Sequence, residues 1–182
     1  MSDGMDRAHY IPAEQQRILD KGYHPTGAFA EFRKEEIEQS VPERFEQIVR
    51  MYPDRLAFKG GNEALTYAEL DRVANCITQA ILDRRGERIE PVTLLFERGA
   101  QAIAAMLAVL KAGKFYVPLD AAYPRARLDL LLSDSQAELT LTNSDNLAMA
   151  RELVQDEAQL LNVDALESAA SLRQSSPFDT TR

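Results

Sequence analysis

Residues 91–120 read PVTLLFERGAQAIAAMLAVLKAGKFYVPLD, two short apolar runs on either side of a longer one. Val92 to Phe96 has the length and β-rich character of a buried strand, and Phe115 to Leu119 repeats it. Between them, Ala100 to Ala112 is long enough for three turns of helix. Lys111 suits the negative end of that helix and Gly113 the left-handed position just beyond it, so the helix stops sharply and the chain turns into the second strand. Pro118 cannot donate to a ladder, which places it at a sheet edge or a strand end. Asp120 then falls just past the strand's carboxyl end, where ligands bind in open α/β sheets. A carboxylate there is read first as a turn or capping group and second as a ligand contact.

Downstream the pattern continues with a helix from Pro124 to Leu132, a strand from Leu139 to Thr142, a helix from Asn146 to Val154 and a fourth strand from Leu160 to Val163. Strands alternating with helices predict an α/β fold with a parallel βαβ layer, flanking helices and right-handed crossovers. Upstream, Leu65-Thr66-Tyr67-Ala68-Glu69-Leu70 is a capping box with its staple: Thr66 caps the Glu69 amide, Glu69 answers, and Leu65 meets Leu70. The helix it starts carries a stripe of Leu70, Val73, Ile77 and Ile81. Gly60-Gly61-Asn62 joins two short strands, Leu56 to Lys59 and Ala64 to Thr66, into an N-terminal hairpin. Ser40-Val41-Pro42-Glu43 opens a further helix, Val41 to Met51, which Tyr52-Pro53-Asp54 ends.

These elements give three regions: an arm or linker over 1–39, a folded subdomain over 40–167, and a polar tail over 168–182. The 182 residues suit one domain with some additional chain. Lys and Arg number 21 against 29 Asp and Glu, a net charge of −8, and no lysine follows Lys114. Nucleic acid and anionic membrane are therefore poor partners. The single Cys76 permits no intrachain disulfide, and Met1 to Asp20 has no apolar signal run, so a cytoplasmic location is expected. The most apolar stretch, Ala102 to Leu110, is about half of the ~20 residues that a membrane span needs.

The motifs that usually carry chemistry are missing. No P-loop, dinucleotide fingerprint, nucleophile elbow or zinc spacing occurs. His9 and His24 lie in the arm, and His24 reads as solvated. Cys76, beside the apolar stripe of its helix, reads as a small buried hydrophobe. Arg125 and Arg127 could receive an anion but read as solvated surface, and Glu35, Glu36 and Glu38 read as a charged face. No residue is assigned to catalysis, to substrate or cofactor binding, or to a metal.

LTYAEL (Leu65 to Leu70), followed by LKAGKFYVPLD (Leu110 to Asp120) and Ala121-Ala122-Tyr123-Pro124, resembles the first two core motifs of non-ribosomal peptide synthetase adenylation domains. Leu94 to Ala100 and Val41 to Phe45 fit the same family in order and spacing, so the resemblance covers about 40–165. Ala121 departs from it, since proline is common there. The resemblance implies that the α/β layer is part of the larger N-domain of an adenylate-forming enzyme. Such an enzyme activates an amino or other carboxylic acid with Mg-ATP to an acyl-AMP and passes it to a carrier-protein phosphopantetheine thiol. The partners implied are the remainder of the adenylation domain and that carrier protein. The family's phosphate loop, adenine- and magnesium-binding motifs, specificity pocket and catalytic lysine follow the matched segment, and none can be placed before Arg182.

The expectation is therefore an N-terminal part of an adenylation domain, inactive by itself, with no cofactor bound by this stretch. Two rivals are a non-enzymatic module or remnant docking on synthetase parts, and a self-contained binder with its ligand at the carboxyl ends of Val92 to Phe96 and Phe115 to Leu119. A cut-off subdomain should self-associate or bind apolar dye through the face its neighbour would cover.

Overall fold

The computed structural model describes residues 34–61, 63–154 and 156–166. Most of the arm expected over 1–39, with His9 and His24, and the tail over 168–182 lie outside the described residues, as do the side chains of Glu35 and Glu36. The chain divides between Glu38 and Gln39. On the near side, Lys34–Glu38 is a 3-10 turn rather than plain linker, with Glu38 exposed.

Beyond that division come α1 (Val41–Met51), the hairpin β1 (Leu56–Gly60) and β2 (Glu63–Thr66), and α2 (Tyr67–Arg85). Then follow β3 (Pro91–Phe96), α3 (Ala100–Lys111), β4 (Phe115–Asp120), α4 (Arg125–Ser135), β5 (Thr140–Thr142), α5 (Leu147–Leu153) and β6 (Leu160–Asn162). Both capping boxes form. Thr66 Oγ1 accepts from the Glu69 amide at 3.2 Å while Glu69 Oε2 accepts from the Thr66 amide at 2.8 Å, and Ser40 and Glu43 repeat the exchange. The Thr66 N–H holds the Glu69 carboxyl below its ordinary range, with help from the Thr66 hydroxyl. Thr66→Ala is expected to cost about 1 kcal/mol by urea unfolding, while Thr66→Ser changes little.

The α3 terminus is a complete Schellman turn. Gly113 sits at φ +71°, its amide donates to the Leu110 carbonyl at 3.0 Å, and the Lys114 amide donates to the Val109 carbonyl at 3.0 Å. The left-handed geometry is what requires glycine there.

The four long-range strands form one parallel sheet in the order β4-β3-β5-β6, and β1 pairs antiparallel with β2. Both sheet faces are covered, which explains why the strands read as unbroken apolar runs. Val92, Leu94, Phe96, Leu141 and Leu161 pack against α2 and α3, and Leu95, Leu119 and Leu160 pack against Leu128 of α4 and Ala150 and Leu153 of α5. Buried Thr93 and Thr140 satisfy one another at 2.6 Å, and Thr142 Oγ1 donates to the Leu95 carbonyl at 3.1 Å. Pro118 lies on the edge strand β4, opposite Leu94.

Small corrections have local causes. The buried stripe of α2 is Leu70, Ala74, Ile77 and Ile81, with Val73 only flanking it, because Ala74 lets α3 approach. Cys76 is half-buried, not fully buried, since it lies off that stripe. Helix α4 runs on to Ser135 and ends at Gln136, which takes φ +53°. Strand β5 starts at Thr140, leaving Leu139 as a buried lead-in whose carbonyl receives the Thr93 amide at 2.9 Å. Val163 leaves the sheet to open a helical turn. Among the described residues, no helix is long and apolar enough to cross a membrane.

Candidate functional site

The strand order fixes where a site belongs. From β3 the chain crosses to one side, to β4, and from β5 to the other, to β6, so the order reverses between β3 and β5. The crevice at such a reversal, outside the carboxyl ends of the strands, is where open α/β sheets take ligands. A cleft of about 380 Å³ lies there, lined by Phe58 and Glu63 of the hairpin, Phe96 and Arg98 after β3, and Asn143 and Asp145 after β5. The sequence reading set this end of the sheet at β3 and β4. The partner strand is β5 instead, because β4 lies on the outer side of β3.

The rim is held by side-chain bonds. Asn143 Nδ2 donates to Gln101 Oε1 at 3.1 Å, and its Oδ1 accepts from the Asn146 amide at 3.2 Å and the Asn146 side chain at 2.8 Å. Asp164 accepts from the Ser144 amide at 2.7 Å and from Gln101 Nε2. Burial pushes the Asp164 carboxyl upward, but the Ser144 and Gln101 donors outweigh it and hold it below its ordinary value. The first turn of α3, the loop after β5 and the turn after β6 are thereby tied into one frame. Gly99 offers α3 no side-chain cap.

This frame is poorly suited to a polyphosphate. Glu97 also lines the cleft, so three carboxylates, Glu63, Glu97 and Asp145, accompany the single guanidinium of Arg98. Among the described residues no group of His, Cys, Asp and Glu could hold a metal ion.

The residues singled out in the sequence sit apart from one another. Asp120 is the last residue of β4, and its Oδ1 accepts from the Ala122 amide at 2.9 Å, which makes it a turn carboxylate. Arg125 is not merely solvated. It pairs with Asp129 at 2.8 Å and Glu152 at 3.3 Å and donates to the Glu152 carbonyl, joining α4 to α5. Arg127 lies 4.2 Å over the Tyr123 ring. Lys111 does more than face a helix end. Its Nζ reaches Glu46 at 2.9 Å, Asp71 at 2.8 Å and Asn75 at 2.7 Å, pinning α1 and α2 to α3. Burial pulls the Lys111 amine downward, and the bonds to Asp71 and Glu46 more than restore it. Lys114, which the sequence did not single out, is buried, donates to the Arg88 carbonyl at 2.6 Å and pairs with Glu90 at 3.2 Å. Both motifs thus resolve into a helix cap and a helix-to-strand turn.

The family described as AMP-binding enzyme matches residues 45–180. The chain belongs to that family. It is 36% identical over 148 residues to tyrocidine synthase 1 of Brevibacillus parabrevis, covering 78% of this chain and 13% of that protein. Gramicidin S synthase 2 of Brevibacillus brevis is 39% identical over 106 residues, covering 58% of this chain and 2% of its own length. The non-ribosomal peptide synthetase FmoA3, solved with alpha-methyl-L-serine-AMP, superposes with a TM-score of 0.61 at 35% identity over 68% of this chain and 14% of its own. The N-terminal subdomain of Klebsiella oxytoca NpsA shares the fold, with a TM-score of 0.61 at 24% identity over 71% of this chain and 32% of its own. The expected resemblance and fold class hold: the chain is an N-terminal stretch of an adenylation domain, and it spans a small fraction of the relatives it matches.

Proposed function

We propose that this chain serves as structural scaffold in an adenylation domain of non-ribosomal peptide synthesis and is catalytically silent by itself. The whole domain activates an amino or other carboxylic acid with Mg-ATP, forming acyl-AMP and pyrophosphate, and delivers the acyl group to a carrier-protein phosphopantetheine thiol. The observation that carries the reading is that both family motifs perform local structural work. The Thr66 capping box starts α2, and the Gly113 turn sends α3 into β4. The acid-rich cleft between β3 and β5 supports the same division of labour, because a triphosphate would meet three carboxylates there. Partners follow from it: the remaining parts of the domain, and the carrier protein.

Two measurements test this. Amino-acid-dependent ATP–pyrophosphate exchange by the 182-residue chain is expected to be absent. Calorimetric titration of Mg-ATP into the folded chain is expected to give no heat of binding. Exchange, or micromolar binding, would overturn the scaffold reading and direct attention to the Arg98 cleft.

A further inference from the structure

Helix α3 differs from the other described helices in its outer surface. Helix α1 turns Glu43 and Arg50 to solvent, α2 turns Arg72, Gln79 and Asp83, α4 turns Arg125, Asp129 and Asp134, and α5 turns Arg151 and Glu152. The inner arc of α3 is Ala104, Ala105, Leu107, Ala108 and Val109, all buried. Its outer arc is Ala102, Ile103, Met106 and Leu110, spaced along one side, and carries no polar group. Ile103 is 38% exposed and the other three are half-buried. At the helix end, Leu110 opens into a groove of about 380 Å³ shared with Val41 and Pro42, and Val41 is 61% exposed. Lys111, at the same end, is turned inward onto Glu46, Asp71 and Asn75, so its charge does not guard the stripe. A helix that is apolar all round is a helix meant to be covered.

We infer that the Ala102, Ile103, Met106 and Leu110 face of α3, with the Val41 groove, is the docking surface for the part of the adenylation domain that this chain does not contain. The inference rests on the proposed function. Its occupant is argued from extent: the fold matched here is 32% of the NpsA N-terminal subdomain, so about two thirds of that subdomain has no counterpart in this chain. Both faces of the sheet are already occupied by helices, which leaves α3's outer side as the apolar surface a further layer would meet.

The test co-expresses the 182-residue chain with a separate polypeptide, the adenylation-domain remainder of tyrocidine synthase 1 that follows the matched stretch. In a Cys76→Ser background, Ile103→Cys reports on the face and Ile89→Cys, at an 83% exposed position, reports on open surface. Co-elution with at least tenfold slower thiol labelling at position 103, and no slowing at 89, is the expected result. Met106→Glu should abolish co-elution with the far-UV circular dichroism unchanged, while Leu130→Glu on α4 should leave it intact. Co-elution with position 103 still fully reactive overturns this inference and leaves the scaffold reading standing. No co-elution overturns both. A stable dimer of the chain alone, with position 103 already protected, assigns the face to a second copy and overturns the inference.

Discussion

Glu90→Ala is expected to destabilise the fold by about 3–5 kcal/mol, the range for removing one partner of a buried ion pair. Glu90 precedes β3 and gathers the open end of the sheet. Arg85 at the end of α2 donates Nε and a terminal nitrogen to its two oxygens, each at 3.0 Å, and Lys114 approaches at 3.2 Å. The Lys114 side chain is 0% exposed, so without Glu90 its charge would keep only the Arg88 carbonyl as partner. Lys114→Met should cost less, about 1–2 kcal/mol, because Glu90 retains Arg85 and only the Arg88 carbonyl loses a donor. The double variant should then be more stable than Glu90→Ala alone. The pH dependence has a definite sign. Arg85's hydrogen bonds hold the Glu90 carboxyl below its ordinary range, against the upward push of burial and with help from Lys114. A lowered carboxylate contributes stability that is fully present above its unfolded value of about 4.3 and fades as the pH falls through the folded value. Urea midpoints between pH 7 and pH 3 should therefore fall less steeply for Glu90→Ala than for the parent. An equal slope, or a loss under 1 kcal/mol, would remove this cluster from the stabilising interactions.

How much of this was readable beforehand depends on sequence distance. The Thr66 and Glu69 exchange spans three residues, and the Gly113 turn is closed by bonds to Val109 and Leu110, so both could be written from local chemistry. The parallel sheet was legible because both of its faces are covered and its strands are uniformly apolar. Strand order was not, since alternation of strands and helices is the same whether β5 lies beside β3 or beside β4. That ambiguity displaced the expected ligand end from the β3 and β5 reversal to β3 and β4. Lys111 looked like a helix-end charge because its partners Asp71 and Glu46 lie 40 and 65 positions away. Lys114 gave no local signal either, since its burial follows from the Arg88 and Glu90 loop folding back on it. Arg125 became a bridge for the same reason: Glu152 is 27 residues on.

Leu95→Ala is the second large effect, an expected loss of about 3–4 kcal/mol within the usual range for buried Leu truncation. Leu95 is fully buried on β3, between β4 and β5, where ladders on both sides fix the backbone. The cavity left behind therefore cannot close by strand movement, and the penalty for an unfilled void stays with the variant. The neighbourhood is also thin. Its buried members are Leu95, Leu119, Leu128, Ala150, Leu153 and Leu160, so the attachment of α4 and α5 depends on few contacts. Leu130→Ala supplies the contrast, because Leu130 on α4 is 59% exposed and its truncation should fall within about 0.5 kcal/mol of the parent. Hydrogen exchange should place the Leu95→Ala loss first in α4 and α5, while the amides of α2 and α3, packed on the opposite face, keep more of their protection. Uniform loss across both faces would mean instead that the two layers unfold as one unit.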